Sequence, residues 1–217
     1  MDNHVQKTQY SETEEKIFVA ALEEFSKKGR SGARMQDIAD RAGINKALIH
    51  YYFRSKEKLY EEVFTFVIRK FFYRLSEFLS AEETFENTLK TFIDKYIDLL
   101  EDQPALPFLL LRDVSEGADV FRERVQKLLL PLPTSVPQVF REKFITAVKR
   151  GEVRDDDPAQ VLITMIGACL FFHVAYPIFS TLFPHARTQR QQFIAERKEH
   201  LFNTLYYGLQ VRPESEK

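Results

Sequence analysis

The chain has 217 residues, 44% hydrophobic and 29% charged, with 20 Phe, no Trp and one Cys. This balance supports a large folded domain, or a small one joined to a larger one, and excludes disorder, a collagen-like repeat, an internal disulfide and any multi-cysteine zinc site. The formal charge of −1 conceals an asymmetry: Lys27 to Lys58 carries nine basic residues against three acidic ones, whereas residues 61–217 carry 20 basic and 23 acidic. Cationic character is therefore concentrated in one short stretch near the N-terminus.

From Ser11 onward apolar residues recur at intervals of three and four, and alternating runs rich in Val, Ile and Thr are absent, which predicts an all-α fold. The first helix opens on Ser11 with Glu14 three residues on, a capping-box spacing, and ends at Gly29. Its predicted inward face is Ile17, Ala21 and Phe25, flanked by Phe18, Ala20 and Leu22; Glu15, Glu23, Glu24 and Lys27 are predicted to face outward. Two short helices follow, from about Met35 to Ala42 and from about Lys46 to Tyr52. Between them Gly43 can take a positive φ and Asn45 can cap the second helix, so the two cross steeply. Ser55 then caps a long helix to about Leu79. Further helices are expected at Thr84–Leu100, Ala105–Glu116, Asp119–Leu130, Pro137–Arg150, Pro158–Thr181 and Arg187–Leu209, with a proline-rich break over 131–137.

Short helices joined at a glycine form a helix-turn-helix, whose second helix enters the major groove of duplex DNA. With Ile49 at the buried centre, a helical projection turns Ile49, Tyr52 and Phe53 inward, points Ala47 and Tyr51 farthest out, and leaves Leu48 and His50 on the flanks. Ala47 permits close backbone approach, and Leu48 offers apolar contact such as to a thymine methyl. His50 and Tyr51 can hydrogen-bond to bases, while Lys46 and Lys56 stand at helix starts beside the phosphates.

The run from Thr13 to Leu22, Phe25, Gly29, the run Asp37–Ile44 and the run Tyr52–Leu59 closely resemble the DNA-binding domain of TetR-family bacterial transcriptional regulators. The resemblance covers about residues 11 to 60. It implies a helix-turn-helix DNA-binding domain over residues 1–60 and a divergent helical effector-binding and dimerisation domain over 61–217. It further implies a homodimer paired through the last two helices, and DNA contacts from Lys46, His50, Tyr52 and Lys56. Two departures bear on readout. Where the family usually opens its second helix with Thr or Ser, this chain has Ala33-Arg34, so that Arg34 is left to supply the phosphate contact. The Gly-Thr common after the recognition-helix lysine is Ala47-Leu48, which removes a hydroxyl. The operator sequence is thus not inherited from a relative.

Past residue 60 the reading rests on composition. Thirteen of the phenylalanines from Phe64 to Phe179 are mostly core, or in part the wall of an apolar pocket with a few polar handles. Within the uncharged run 161–179, Ile166, Cys169, His173 and Tyr176 form one helical stripe, which is either satisfied core or, with Phe92, Tyr96 and Phe144, the lining of a site for a hydrophobic small molecule. The same run meets the length of a membrane span, but His173, Gly167 and Pro177 favour a central bundle helix and no membrane association. Its excess apolar surface favours dimerisation, which also places two reading helices about 34–36 Å apart on a palindrome. No phosphate loop, metal-spaced pair or nucleophile elbow points to an enzyme or to a cofactor. Asp155-Asp156-Asp157 before Pro158 reads as a helix start, and Cys169 as inert. With no signal peptide at the N-terminus, the expected location is the cytoplasm. A helical enzyme or an interaction module without DNA readout is the competing reading.

Overall fold

The computed structural model describes residues 10–80, 84–129 and 136–211, and among them every regular element is an α-helix. In chain order these are α1 (Glu12–Gly32), α2 (Met35–Ala42), α3 (Lys46–Phe53), α4 (Lys56–Ser80), α5 (Phe85–Asp102), α6 (Leu106–Glu116), α7 (Ala118–Leu129), α8 (Val136–Lys149), α9 (Pro158–Leu182), α10 (Pro184–Thr188) and α11 (Arg190–Leu209). Most of the proline-rich break lies outside the described residues, and Val136 and Pro137 open α8.

The N-terminal unit is built by its caps. The Ser11 hydroxyl accepts from the Glu14 amide at 3.3 Å, and the Glu14 carboxylate accepts from the Ser11 amide at 2.8 Å, satisfying two donors that have no partner within the helix. Ile17, Phe18, Ala21 and Phe25 are then wholly buried against α2 and α4. Gly29, at φ 70 and ψ 173, breaks the regular helix of α1 and turns the chain toward α2. Glu24 does not face solvent as the helical projection predicts: it is buried, with Lys28 Nζ 2.6 Å from its carboxylate. Lys28 also donates to Asp37 at 2.7 Å, so the triad ties α1 to α2 and compensates the buried charge.

Gly43 (φ 67, ψ 33) ends α2, its amide donating to the Ala39 and Asp40 carbonyls. Asn45 Oδ1 accepts from the Ala47 amide at 2.8 Å and starts α3. Helix α4 runs 25 residues without interruption and packs on both α1 and α5, so residue 60 lies inside a helix that the N-terminal helices and the larger domain share, not in a linker.

The larger domain packs α5, α8 and α9 around Phe92, Ile93, Tyr96, Phe140, Phe144, Met165 and Cys169, each at most 1% exposed. Asp157 Oδ1 caps α9 through the Ala159 amide at 2.8 Å. The chain after α9 is not one helix from Arg187: Phe183 and Gln189, both outside helical geometry, set off the short α10 before α11. Two successive residues of α6 face different partners. Arg112 donates to the Ser26 and Lys27 carbonyls of α1, both at 2.7 Å, and Asp113, 4% exposed, accepts from Tyr60 of α4 at 2.5 Å and from Arg124 of α7 at 2.8 Å.

Candidate nucleic-acid interface

Helix α3 is anchored by Ile49 and Phe53, which are 0% and 5% exposed. Ala47, His50 and Tyr51 lie on the opposite side and are exposed, Tyr51 to 69%, while Leu48 is half-buried. Tyr52 departs from its predicted inward position and is 38% exposed. It lies about 60° from Ile49 around the helix, at the margin of the buried face, and its ring packs edge-on against Tyr51 with centroids 5.6 Å apart. The outward surface is therefore one aromatic step wider than the periodicity implies.

Electrostatics around α3 depends on which cations are already engaged. Lys27, Lys28, Arg30 and Arg41 pair with Glu23, Glu24, Asp37 or Glu116. Lys56 donates to the Ser31 carbonyl at 2.9 Å and the Ala33 carbonyl at 3.2 Å. Its ammonium thus secures the end of α1 with two of its three N–H donors. Among the described residues, Arg34, Lys46, Arg54 and Lys58 make no side-chain hydrogen bond or ion pair, and all four are exposed. Arg34 opens α2 without a side-chain cap, in keeping with the absent hydroxyl. Ser55 Oγ accepts from the Lys58 amide at 3.2 Å at the start of α4.

The residues expected to form an effector pocket divide differently. Phe92, Tyr96, Phe144 and Cys169 lie in the shared core, with Phe92 and Tyr96 rings 5.3 Å apart and burial pushing the Cys169 thiol up to about 12. Both polar handles are engaged within the chain. His173 Nδ1 lies 3.1 Å from the Cys169 carbonyl and Nε2 3.0 Å from Glu101. Tyr176 donates to the Ala186 carbonyl at 2.8 Å, beneath the Arg190 guanidinium at 4.0 Å. Ile166 is half-buried. A cavity of about 170 Å³ lies elsewhere, lined by Thr84, Phe85, Thr88, Glu142, Thr146 and Glu152 among others, and none of the seven expected residues lines it. The stripe is thus filled by the protein's own side chains, and burial as the leading cause holds His173 below its usual range.

Sequence reasoning missed Arg54, whose φ of 63 has no sequence signature in a non-glycine residue, and the buried set Tyr60, Asp113 and Arg124, whose members are far apart in the chain. Helix α9 has the length and composition of a membrane span, with mean hydropathy 2.0, and 39% of that apolar window is buried within the fold.

Residues 17–63 match the family model for bacterial regulatory proteins of the tetR family. The chain is 31% identical over 156 residues to the HTH-type transcriptional regulator RutR of Escherichia coli K12, covering 70% of this chain and 69% of RutR. Its fold is similar to that of SCO4942 from Streptomyces coelicolor (TM-score 0.67, 23% identity, 93% of this chain and 99% of the other). It is also similar to FadR from Bacillus subtilis, solved in complex with stearoyl-CoA (TM-score 0.65, 17% identity, 90% and 99%). With an exposed α3 on a cationic platform and these relatives, the chain belongs to the TetR family of DNA-binding transcriptional regulators.

Proposed function

We propose that the protein is a cytoplasmic homodimeric repressor that reads a palindromic operator with α3 and releases it when a hydrophobic small molecule binds the larger domain. The observation that carries this reading is the outward face of α3, Ala47, His50 and Tyr51, set near Arg34, Lys46 and Arg54, whose side chains make no hydrogen bond or close ion pair among the described residues. Arg34, Lys46 and the remaining donor of Lys56 contact phosphates. Asn45 fixes the helix start beside them. Leu48, His50 and Tyr51 meet base edges or sugar, Ala47 allows the backbone close, and Tyr52 flanks the groove.

Dimerisation is supported by a stripe on α9, where Ile163, Phe171, Ile178 and Leu182 are 62–65% exposed, together with Tyr207 of α11 at 63%. Covering this surface with a second copy supplies the twofold geometry of a palindromic site. Effector control is supported by the likeness to a FadR that holds stearoyl-CoA. Phe92, Tyr96, Phe144, Ile166, Cys169, His173 and Tyr176 are the proposed lining, opened by a population shift away from the packed state.

Selection from a randomised duplex pool tests the reading: an inverted repeat should be recovered. Lys46→Ala should weaken binding to every duplex and lower the salt slope by about one unit per protomer. Tyr51→Ala should change the sequence selected. Recovery of no sequence, at low salt as well as high, refutes DNA readout. Fatty acyl thioesters should raise the melting temperature and release the selected duplex.

A further inference from the structure

The end of the reading helix has an unusual backbone. Arg54 has φ 63 and ψ −46, and it is the one non-glycine residue with positive φ among those described. The Ser55 amide donates across it to the Phe53 carbonyl at 2.6 Å. A bond from residue i+2 to residue i around such angles defines the positive-φ γ-turn, a rare and strained conformation for a residue with a Cβ. The Arg54 amide still donates to the His50 carbonyl at 3.0 Å, so its Cα remains in the helical register. The Arg54 Cα thus follows those of Ala47 and Tyr51 along α3, while its positive φ swings the side chain away from the direction a helical residue would take. The turn also directs the Arg54 carbonyl back to His50, whose Nδ1 lies 3.4 Å away.

The side chain has a second distinguishing feature. Lys56, two residues on, holds the Ser31 and Ala33 carbonyls, whereas the Arg54 guanidinium makes no hydrogen bond or ion pair among the described residues and is exposed. Glycine or asparagine would suit this backbone at less strain, but neither carries a charge or a fork of donors. What arginine adds at this position is reach and five N–H donors matched to a phosphate.

We propose that Arg54 is a phosphate contact at the C-terminal end of the reading helix, presented beside the duplex by a strained γ-turn. The inference rests on the DNA-binding reading above and adds a residue to it. Binding of the phosphate on this flank fixes the register of α3 in the groove. The same turn holds the His50 ring through the Arg54 carbonyl, so Nε2 is the His50 atom turned to the bases.

The test uses the full chain and a duplex carrying the site that the wild-type protein selects from a random pool. Arg54→Gly and Arg54→Asn both tolerate positive φ and lack the charge; Arg54→Lys keeps the charge. Without DNA, Arg54→Gly should melt about 2–4 °C higher than wild type, the shift expected for relief of such strain in a chain of this size. On the duplex it should bind about thirtyfold more weakly near 0.15 M salt, with the slope of log affinity against log salt reduced by about two per dimer. Arg54→Asn should follow it, and Arg54→Lys should recover most of the affinity and the full slope. Wild-type binding with an unchanged slope in Arg54→Gly overturns the phosphate contact and leaves the regulator reading intact. An unchanged or lowered melting temperature overturns the strained presentation. If the wild type selects no duplex, the underlying reading has failed, a result distinct from either.

Discussion

Removing the Asp113 carboxylate should be the most destabilising single change at the junction between the reading unit and the larger domain. Asp113 is 4% exposed and accepts from Tyr60 Oη at 2.5 Å and from Arg124 at 2.8 and 3.1 Å; Arg124 also reaches Glu61. Burial, then the bond to Asp113, pushes the Tyr60 phenol well above its usual range. In Asp113→Ala the phenol loses its acceptor, at about 1–3 kcal/mol. Breaking a buried pair from one side costs about 3–5 kcal/mol. Arg124 keeps Glu61, whose side chain is 50% exposed, so the combined loss is discounted to about 2–4 kcal/mol. At about 2–4 °C per kcal/mol for a chain of this size, melting should fall by about 5–15 °C. The exposed pair Lys16–Glu12, with side chains 61% and 85% accessible, is the control, and removing it should leave the unfolding midpoint nearly unchanged. Urea unfolding of Asp113→Ala, Arg124→Ala and the double variant measures the coupling directly. A loss for Asp113→Ala no larger than that of the Lys16 control would refute the reasoning.

Three further outcomes are expected. Gly43→Ala meets nothing within 4 Å of its added Cβ, so only the positive φ opposes it; urea unfolding should show a loss of about 1–2 kcal/mol, and no loss would contradict the left-handed turn. His173 faces Glu101 and Arg190 and is held below its usual range chiefly by burial. The unfolded chain therefore takes up a proton first as pH falls, and stability is lost below about 6.5, the ordinary histidine value. His173→Gln should flatten melting temperature between pH 7 and pH 5 relative to wild type, and an unchanged profile would contradict the assignment. Phe171→Glu places a charge on the α9 stripe, where Phe171 is 63% exposed, and sedimentation should show a monomer; an unaltered dimer would move the interface elsewhere.

The sequence made the architecture legible where local chemistry decides it. Ser11 with Glu14, Gly43 and Asn45 act through near neighbours, and α1 and α3 start, and α2 ends, where those residues require. Periodicity also placed Ile49 and Phe53 inside and Ala47 and Tyr51 outside. It misjudged Tyr52 and Glu24, because a projection of one helix omits its neighbours: Tyr52 sits at the edge of the buried arc, and Glu24 is covered beside Lys28. The His173 stripe could not be resolved from spacing, since its partners Glu101, Ala186 and Arg190 come from other helices. Arg54 was illegible for another reason, in that arginine has no preference for positive φ.

The pairing pattern also changes what the cationic stretch can do. Counting charge along the chain gives nine cations per protomer between Lys27 and Lys58. If all met phosphates, a dimer would show a salt slope of about −16. Four of the nine are held in ion pairs, and Lys56 holds two carbonyls. The proposed contacts Arg34, Lys46, Arg54 and the third donor of Lys56 would make eight in a dimer and give a slope of about −7; a phosphate on each exposed Lys58 would extend it to about −9. Fluorescence anisotropy on the selected duplex between 50 and 300 mM salt, about a sixfold range, is wide enough to separate these values. A slope near −16 would mean that the internal pairs open on binding, and the surface described for the free protein would not be the one that meets DNA.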